Sequence, residues 1–78
     1  MNKTLGMGLT FNGLRVAVLV KFQKYPFHNS RKVVVTVGGL CVFEAKWDVA
    51  GKEYALEALK AIGDEVAELS DALKKVEV

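Results

Sequence analysis

The most constraining feature of the sequence is the dipeptide Asn12-Gly13, which stands between two stretches of alternating apolar residues. Asn-Gly favours a type I′ turn, because that turn needs a positive φ at both of its central residues. With the turn placed there, four apolar pairs fall on one side: Phe11–Leu14, Leu9–Val16, Met7–Val18 and Leu5–Val20. A shift by one residue would turn this set toward water, so the pattern predicts a hairpin with a single register.

The alternation continues into a third strand. The first strand is predicted over about residues 5–11, the second over about 14–25 and the third over 31–37. Residues 26–30 (Pro-Phe-His-Asn-Ser) are predicted to form a loop, since Pro, Asn and Ser favour turns. One side of the sheet stays apolar if the opposed residues of the second and third strands are Phe22 and Val33, Val20 and Val35, and Val18 and Val37.

The fourth strand is predicted over about residues 40–47, after a turn at Gly38-Gly39. A three-residue turn keeps the apolar side consistent and sets Val37 against Cys41, Val35 against Phe43 and Val33 against Ala45. A two-residue turn at the glycines would invert that facing, and a β-bulge would reconcile the two registers. The sequence leaves this register open.

The spacing of apolar residues changes near Trp47, from every second residue to every third or fourth. One long helix is therefore predicted over about residues 49–76, with Asp48 as its N-cap. Gly63 lies inside this segment, where glycine costs about 1 kcal/mol relative to alanine and favours a bend or a close backbone crossing. The apolar stripe of the helix has steps of three and four residues: Ala55, Leu59, Ile62, Val66, Leu69, Leu73 and Val76.

These elements predict a single α+β domain over residues 1–78, a four-stranded antiparallel meander followed by one C-terminal helix (ββββα). Four strands present a face roughly 19 Å wide, and one helix is about 10–12 Å across, so the helix covers only about half of the face. A second copy is the simplest cover, and a homodimer is expected. The residues predicted to form its interface lie on the helix stripe: Leu59, Ile62, Gly63, Val66, Leu69 and Leu73.

Composition excludes several classes of protein. Hydrophobic residues make up 51% of the 78 residues, too many for a disordered chain. The longest apolar run, Val16–Val20, is far short of the about 20 residues of a membrane span, and residues 1–10 have no secretory signal pattern. One cysteine, Cys41, fits a reducing compartment. We therefore expect a cytoplasmic, nucleoid-associated protein, or one in the host cytoplasm if it is viral.

No residue pattern indicates catalysis, a metal site or a cofactor. His28 is the one histidine and has no Cys, Asp or Glu near it in sequence, whereas metal sites need several ligands at set spacings. Gly6 and Gly8 are not followed by a helix, so close packing explains them better than a phosphate loop. We expect neither an enzyme nor a small-molecule substrate.

Charge divides the chain in two. Residues 1–47 carry seven Lys or Arg and one acid, whereas residues 48–78 carry four Lys and eight acids. On the outward side of the strands, cations and an aromatic ring lie together, which are the two components of single-strand binding. The residues that this pattern predicts to bind nucleic acid are Arg15, Lys21, Gln23, Lys24, Tyr25, Lys32 and Lys46, with Phe27 as a further stacking residue.

Two alternatives stay open at this stage. Lys and Arg also solubilise exposed strands and protect sheet edges without binding a ligand. A small inhibitor or adaptor would dock the same basic sheet on an acidic protein, with Leu19 and Val34 as exposed contact residues.

The segment Phe11–Lys21, with Tyr25 beyond it, resembles the first hairpin of the positive cofactor four family of single-stranded DNA-binding transcription coactivators. The segment Ile62–Val76 is similar to the family's C-terminal helix in its apolar spacing and its Asp-Ala-apolar-basic-basic-apolar ending. The order of elements, ββββα, agrees as well, so the resemblance covers about residues 5–76. No single residue or motif in it is diagnostic of the family.

The resemblance implies a dimer joined partly through its C-terminal helices, with DNA on the outer ridges of the sheets. It implies that Phe11 and Tyr25 stack on bases and that Arg15 and Lys21 bind phosphates. Asn12 stands where the family has a lysine at the DNA contact. With Phe11 and Asn12 added, nine residues are predicted to bind nucleic acid. The hairpin register instead points Phe11 inward, and both placements stay open. The expected function is sequence-tolerant binding of single-stranded DNA in transcription, replication or recombination, in a bacterial or phage protein. RNA and melted duplex remain alternative ligands.

Overall fold

The computed structural model describes residues 3–25 and 30–78. Four strands come first, β1 (Lys3–Phe11), β2 (Leu14–Lys24), β3 (Arg31–Val37) and β4 (Leu40–Lys46), and they form one antiparallel sheet in the order β1-β2-β3-β4. The predicted four-stranded antiparallel meander is therefore confirmed. Most of the predicted loop, residues 26–29 with Phe27 and His28, lies outside the described residues.

The first two pairings have the predicted registers. Asn12 has φ 50° and Gly13 has φ 82°, the two positive values that a type I′ turn needs. Phe11 pairs with Leu14 and every apolar pair of the hairpin follows, while β2 and β3 pair from Val18–Val37 to Phe22–Val33 and on to Lys24–Arg31. Every second residue of each strand therefore faces the same side, and these residues form an inner, apolar face. A residue in this alternating set is said below to have the inner parity of its strand, and the residues between them have the outward parity.

The fourth strand combines the two registers that the sequence leaves open. Val33 pairs with Ala45 and Val35 with Phe43, as a three-residue turn requires. Nearer the turn, however, Thr36 pairs with Cys41 and Val37 with Leu40, so the predicted pairing of Val37 with Cys41 is wrong. Gly38 (φ 59°) and Gly39 (φ 83°) form a two-residue turn, and the shift between Val35 and Thr36 leaves Val42 as the extra residue of a bulge.

The prediction of one long C-terminal helix is wrong. Helix α1 (Val49–Ile62) ends at Gly63, a single 3₁₀ turn covers Asp64–Val66, and helix α2 (Ala67–Lys74) follows. Gly63 has φ 141°, a backbone conformation that a side chain disfavours, and it ends α1. Asp48 is the N-cap, as predicted, and its Oδ1 accepts a hydrogen bond from the backbone N–H of Gly51 at 2.7 Å.

The break at Gly63 lets both helices lie on the inner face of the sheet. Helix α1 packs against β3 and β4, whereas α2 packs against β1. Between them they bury a single core around the two central strands: Leu9, Val18, Val20, Phe22, Val33, Val35, Trp47, Ala55, Leu59, Val66, Leu69 and Leu73.

This packing changes the basis for the predicted dimer interface. Leu59, Val66, Leu69 and Leu73 are at most 3% exposed within one chain, because they fill the space between the helices and the sheet. They need no second copy to bury them, while Ile62 and Gly63 are half-buried. The estimate that one chain covers only half of its sheet fails, since it rested on a single unbroken helix.

Hydrogen bonds fix the C-terminal end of α2 against the start of α1. The ammonium of Lys52 donates to the carbonyl oxygens of Lys74 at 2.9 Å and of Val76 at 2.7 Å. The indole Nε1 of Trp47 donates to the carbonyl of Glu77 at 3.2 Å, and its ring packs edge-on against Phe22 with centroids 4.8 Å apart. Carbonyls that the helix end leaves unpaired are thus satisfied by side chains.

Candidate nucleic-acid interface

The face of the sheet opposite the helices, here called the outer face, carries four cations. Strand parity and register place on it Arg15 and Lys21 from β2, Lys32 from β3 and Lys46 from β4, together with one acid, Glu44. Gln23 and Tyr25 continue the outward parity of β2 and are half-buried. The structure therefore places on one face six of the nine residues predicted to bind nucleic acid: Arg15, Lys21, Gln23, Tyr25, Lys32 and Lys46.

Three of these cations lie on neighbouring strands at one end of the outer face. Lys32 pairs directly with Lys46 on one side and with Gln23 on the other, and Lys21 pairs with Val34 in the adjacent row. We call Lys21, Lys32 and Lys46 the cation cluster. Directly opposed like charges repel across an antiparallel pair, so an anion near Lys32 and Lys46 would relieve that repulsion.

Glu44 supplies such an anion from within the chain. Its Oε1 accepts a hydrogen bond from the ammonium of Lys32 at 2.9 Å, and the two side chains form an ion pair that stays partly exposed. This hydrogen bond is the main reason that the pKa of Lys32 is raised above its ordinary value, so Lys32 stays charged through the neutral range. A phosphate that binds Lys32 must compete with Glu44.

Tyr25 lies beside the same cation. The ammonium of Lys32 is 5.7 Å from the centroid of the Tyr25 ring, within the range of a cation–π contact. Lys32 therefore joins an acid on one side to an aromatic ring on the other. The arrangement places a charged ammonium group and an aromatic ring side by side on the outer face.

Arg15 lies at the far end of the outer face, supported by a glycine. Lys21 lies six positions further along β2, roughly 20 Å of strand. A Cβ atom at Gly8 would lie 2.8 Å from Nη2 of Arg15, so the guanidinium occupies the space that a side chain on β1 would fill. Gly6 makes room for Leu19 in the same way, with Cδ2 2.6 Å from its hypothetical Cβ.

The centre of the outer face is uncharged and low in relief. Val34 is 8% exposed and Thr36 is 7% exposed, although neither described helix lies on this side of the sheet. Leu19 is half-buried. The inhibitor alternative expected Leu19 and Val34 as exposed contact residues, and that expectation is wrong for Val34.

The other three predicted residues lie elsewhere. Phe11 has the inner parity of β1 and is 60% exposed in an apolar hollow beyond the helices, so it belongs neither to the core nor to the outer face. Asn12 forms the hairpin turn and borders the same hollow. Lys24 has the inner parity of β2 and pairs with Arg31. We therefore do not place these three in the interface.

Sequence reasoning missed the role of Glu44, whereas its assignment of Gly6 and Gly8 to close packing agrees with the positions of Leu19 and Arg15 against them. Glu44 was the single acid among the first 47 residues, and its place opposite Val34 on the outer face was the available signal. The small residues at every second position of β1, Thr4, Gly6, Gly8 and Thr10, marked a strand whose outer side leaves space for its neighbour.

Within residues 3–25 and 30–78, no group of three or more His, Cys, Asp or Glu side chains is placed to hold a metal ion. Neither described helix has the length and apolarity needed to cross a bilayer. No family model, no curated protein and no solved structure matches the chain.

Proposed function

We propose that the chain binds single-stranded DNA on its outer face, without strong sequence preference, and serves transcription, replication or recombination by holding melted DNA. The observation that carries the proposal is the cation cluster beside Tyr25, with Arg15 further along the same strand. Cations neutralise phosphates and aromatic rings stack on bases of any identity. The resemblance of the Phe11–Lys21 segment to positive cofactor four proteins supports the same ligand.

The shape of the outer face favours a single strand over a duplex. The described residues of the outer face lie on the strands of one sheet, so this face has no projecting helix or ribbon among them to enter a major groove. The described part of the face offers one aromatic ring, Tyr25, and an apolar floor around Leu19 and Val34. Unpaired bases can lie on such a floor while the phosphates contact lysines at its margin.

The distribution of charge supports an approach from this side. The helical segment, residues 48–78, holds eight of the nine acids of the chain, whereas the strands hold most of the cations. A polyanion is therefore attracted to the sheet and repelled from the helices. We place the protein in the cytoplasm, near nucleic acid, on the same grounds.

The experiment measures anisotropy of a labelled oligo(dT) with the double variant Arg15→Ala, Lys21→Ala. We expect weaker binding and a salt dependence whose slope is smaller by about 1.4, since each lost phosphate contact removes about 0.7 for single strands. The matched control is Lys60→Ala, Lys75→Ala, which removes two exposed charges from the helices.

An equal loss of affinity in the two double variants would mean that net charge alone attracts the DNA and that the outer face is not the binding site. Binding of an acidic protein with no complex on oligo(dT) would favour the adaptor alternative. Tighter binding to oligo(U) than to oligo(dT) would identify RNA as the ligand.

A further inference from the structure

One end of the inner, apolar face is left uncovered by the helices. Phe11 is 60% exposed, Leu14 70%, Leu40 73% and Val42 53%, and all four lie at the end that holds the Asn12-Gly13 and Gly38-Gly39 turns. We call these four side chains the apolar patch. No other group of large apolar side chains in the described residues is exposed together on the sheet.

The patch is open because the strands are longer than the helices beneath them. Strand β1 has 9 residues and spans about 30 Å, whereas α2, which packs against it, has 8 residues that rise about 12 Å. Helix α1 ends at Ile62, whose side chain borders the uncovered end. The two turns therefore project beyond the helical layer and leave their apolar side unpaired.

The projecting strands and Ile62 enclose a hollow of about 410 Å³. Its walls are apolar side chains, including Val16 and Val37, and Asn12 at the turn is the polar residue among them. No charged side chain of the described residues lines it. The surface that covers this hollow must be apolar over a similar area, because an unpaired polar group buried there would be destabilising.

We propose that the apolar patch is the contact surface between two copies of this chain. A second copy supplies an apolar surface of matching size, and two identical patches facing each other across a twofold axis form a closed, isologous contact. The proposal moves the dimer contact from the helix stripe, whose leucines are already buried, to the turn end of the sheet.

The area of the patch fits the centre of such a contact. The four side chains expose on the order of 400 Å², comparable with the largest apolar patch on a typical monomer. A standard interface buries about 800 Å² per partner, with an apolar centre and a polar rim. Sheets that pack face to face lie about 10 Å apart, so each projecting end would fill the space that a helix leaves empty in the other copy. The outer faces of both copies stay open.

Sedimentation velocity on the full chain over a range of concentrations tests the proposal without any nucleic acid. We expect the wild type to associate from 8.5 kDa to twice that mass as its concentration rises to about 100 μM. The variant Leu14→Glu, Leu40→Glu is expected to raise the dimer dissociation constant at least tenfold. Far-UV circular dichroism checks that the variant remains folded.

The matched control is Val49→Glu, Tyr54→Glu, which changes two exposed apolar side chains of α1, 70% and 59% exposed. We expect its dissociation constant to stay within about twofold of the wild type. A wild-type chain that remains monomeric, a patch variant that still dimerises normally, or a control that dissociates to the same extent would each overturn the proposal. Because the readout contains no DNA, these outcomes are independent of the proposed DNA binding.

Discussion

Gly51, in the first turn of α1, is fixed by the backbone that precedes the helix. Its N–H donates to the N-cap Asp48, and a Cβ atom built on it would collide with the carbonyl oxygen of Lys46 at the end of β4. Since that oxygen belongs to the backbone, it cannot move aside as a flexible side chain would. The close approach sets the angle at which the chain leaves the sheet and enters the helix.

Substitution Gly51→Ala should therefore destabilise the fold, although alanine usually stabilises a helix interior by about 1 kcal/mol relative to glycine. We expect the free energy of unfolding to fall by about 2 kcal/mol, because the strand-to-helix junction must shift to accept the methyl group. Denaturant titration followed by the fluorescence of the single, buried Trp47 measures it. A stabilised variant would show that the junction has room for a side chain.

Glu44 forms an ion pair with Lys32, so under the proposed function it competes with a DNA phosphate for that lysine. Substitution Glu44→Gln removes its charge and frees Lys32 to contact a phosphate, so we expect oligo(dT) to bind about two- to threefold more tightly, with a salt slope steeper by up to about 0.7. The control Glu68→Gln makes the same change of charge at an exposed position on α2. If the affinity for oligo(dT) rises equally in both variants, the change in net charge explains the effect and Lys32 does not contact the DNA.

At the level of elements, α2 depends on contacts beyond its own eight residues. A helix of this length is marginal in isolation, and α2 is secured by its buried leucines and by the two carbonyl groups that Lys52 binds. The stability of the C-terminal segment is therefore coupled to α1, the helix that carries Lys52.

Substitution Lys52→Met keeps most of the side-chain volume and removes both hydrogen bonds. We expect the amides of α2 to exchange with solvent about tenfold faster, which corresponds to about 1.4 kcal/mol of local stability. Hydrogen exchange by mass spectrometry or NMR measures this, with Lys60→Met, an exposed lysine of the same helix, as control. Equal exchange rates in the two variants would show that the Lys52 contacts add nothing to α2.

The sequence predicts the sheet better than the helices for a physical reason. Asn12-Gly13 and strict alternation fix the first three strands locally, because a slip would expose a whole apolar side. The break at Gly63 was missed because a glycine in a helix costs only about 1 kcal/mol, which tertiary contacts easily outweigh. The stripe from Leu59 to Leu73 also keeps its spacing across the 3₁₀ turn, so the periodicity does not reveal the break.

The sequence predicts which side of the sheet carries the candidate site, but it does not predict the side-chain contacts within the site. Parity assigned Arg15, Lys21 and Lys32 to the outer side from the sequence alone. The pairing of Lys32 with Glu44 depends on the register of β4, which two competing turns left open and a bulge decides. The position of Arg15 over Gly8 depends on side-chain conformations that no pattern of residue types specifies.

At the scale of the whole molecule, the chain is a two-layer structure with opposite charge on its two sides. The sheet presents cations on its outer face, and the helical layer carries most of the acids. The turn end of the sheet adds a third surface, which is apolar and separate from both. One small chain thus has two distinct surfaces, a cationic one that we propose for a polyanion and an apolar one that we propose for a second copy.

The most direct test of the central claim, that the outer face binds single-stranded DNA, is the salt dependence of binding by the wild-type chain. Labelled oligo(dT) and a duplex of equal length are titrated at two salt concentrations. With Arg15, Lys21, Lys32 and Lys46 on phosphates, the account predicts a slope of log K against log salt of about −2 to −3 on the single strand, and weaker binding of the duplex. No binding to oligo(dT), or equal binding of the duplex, would contradict it.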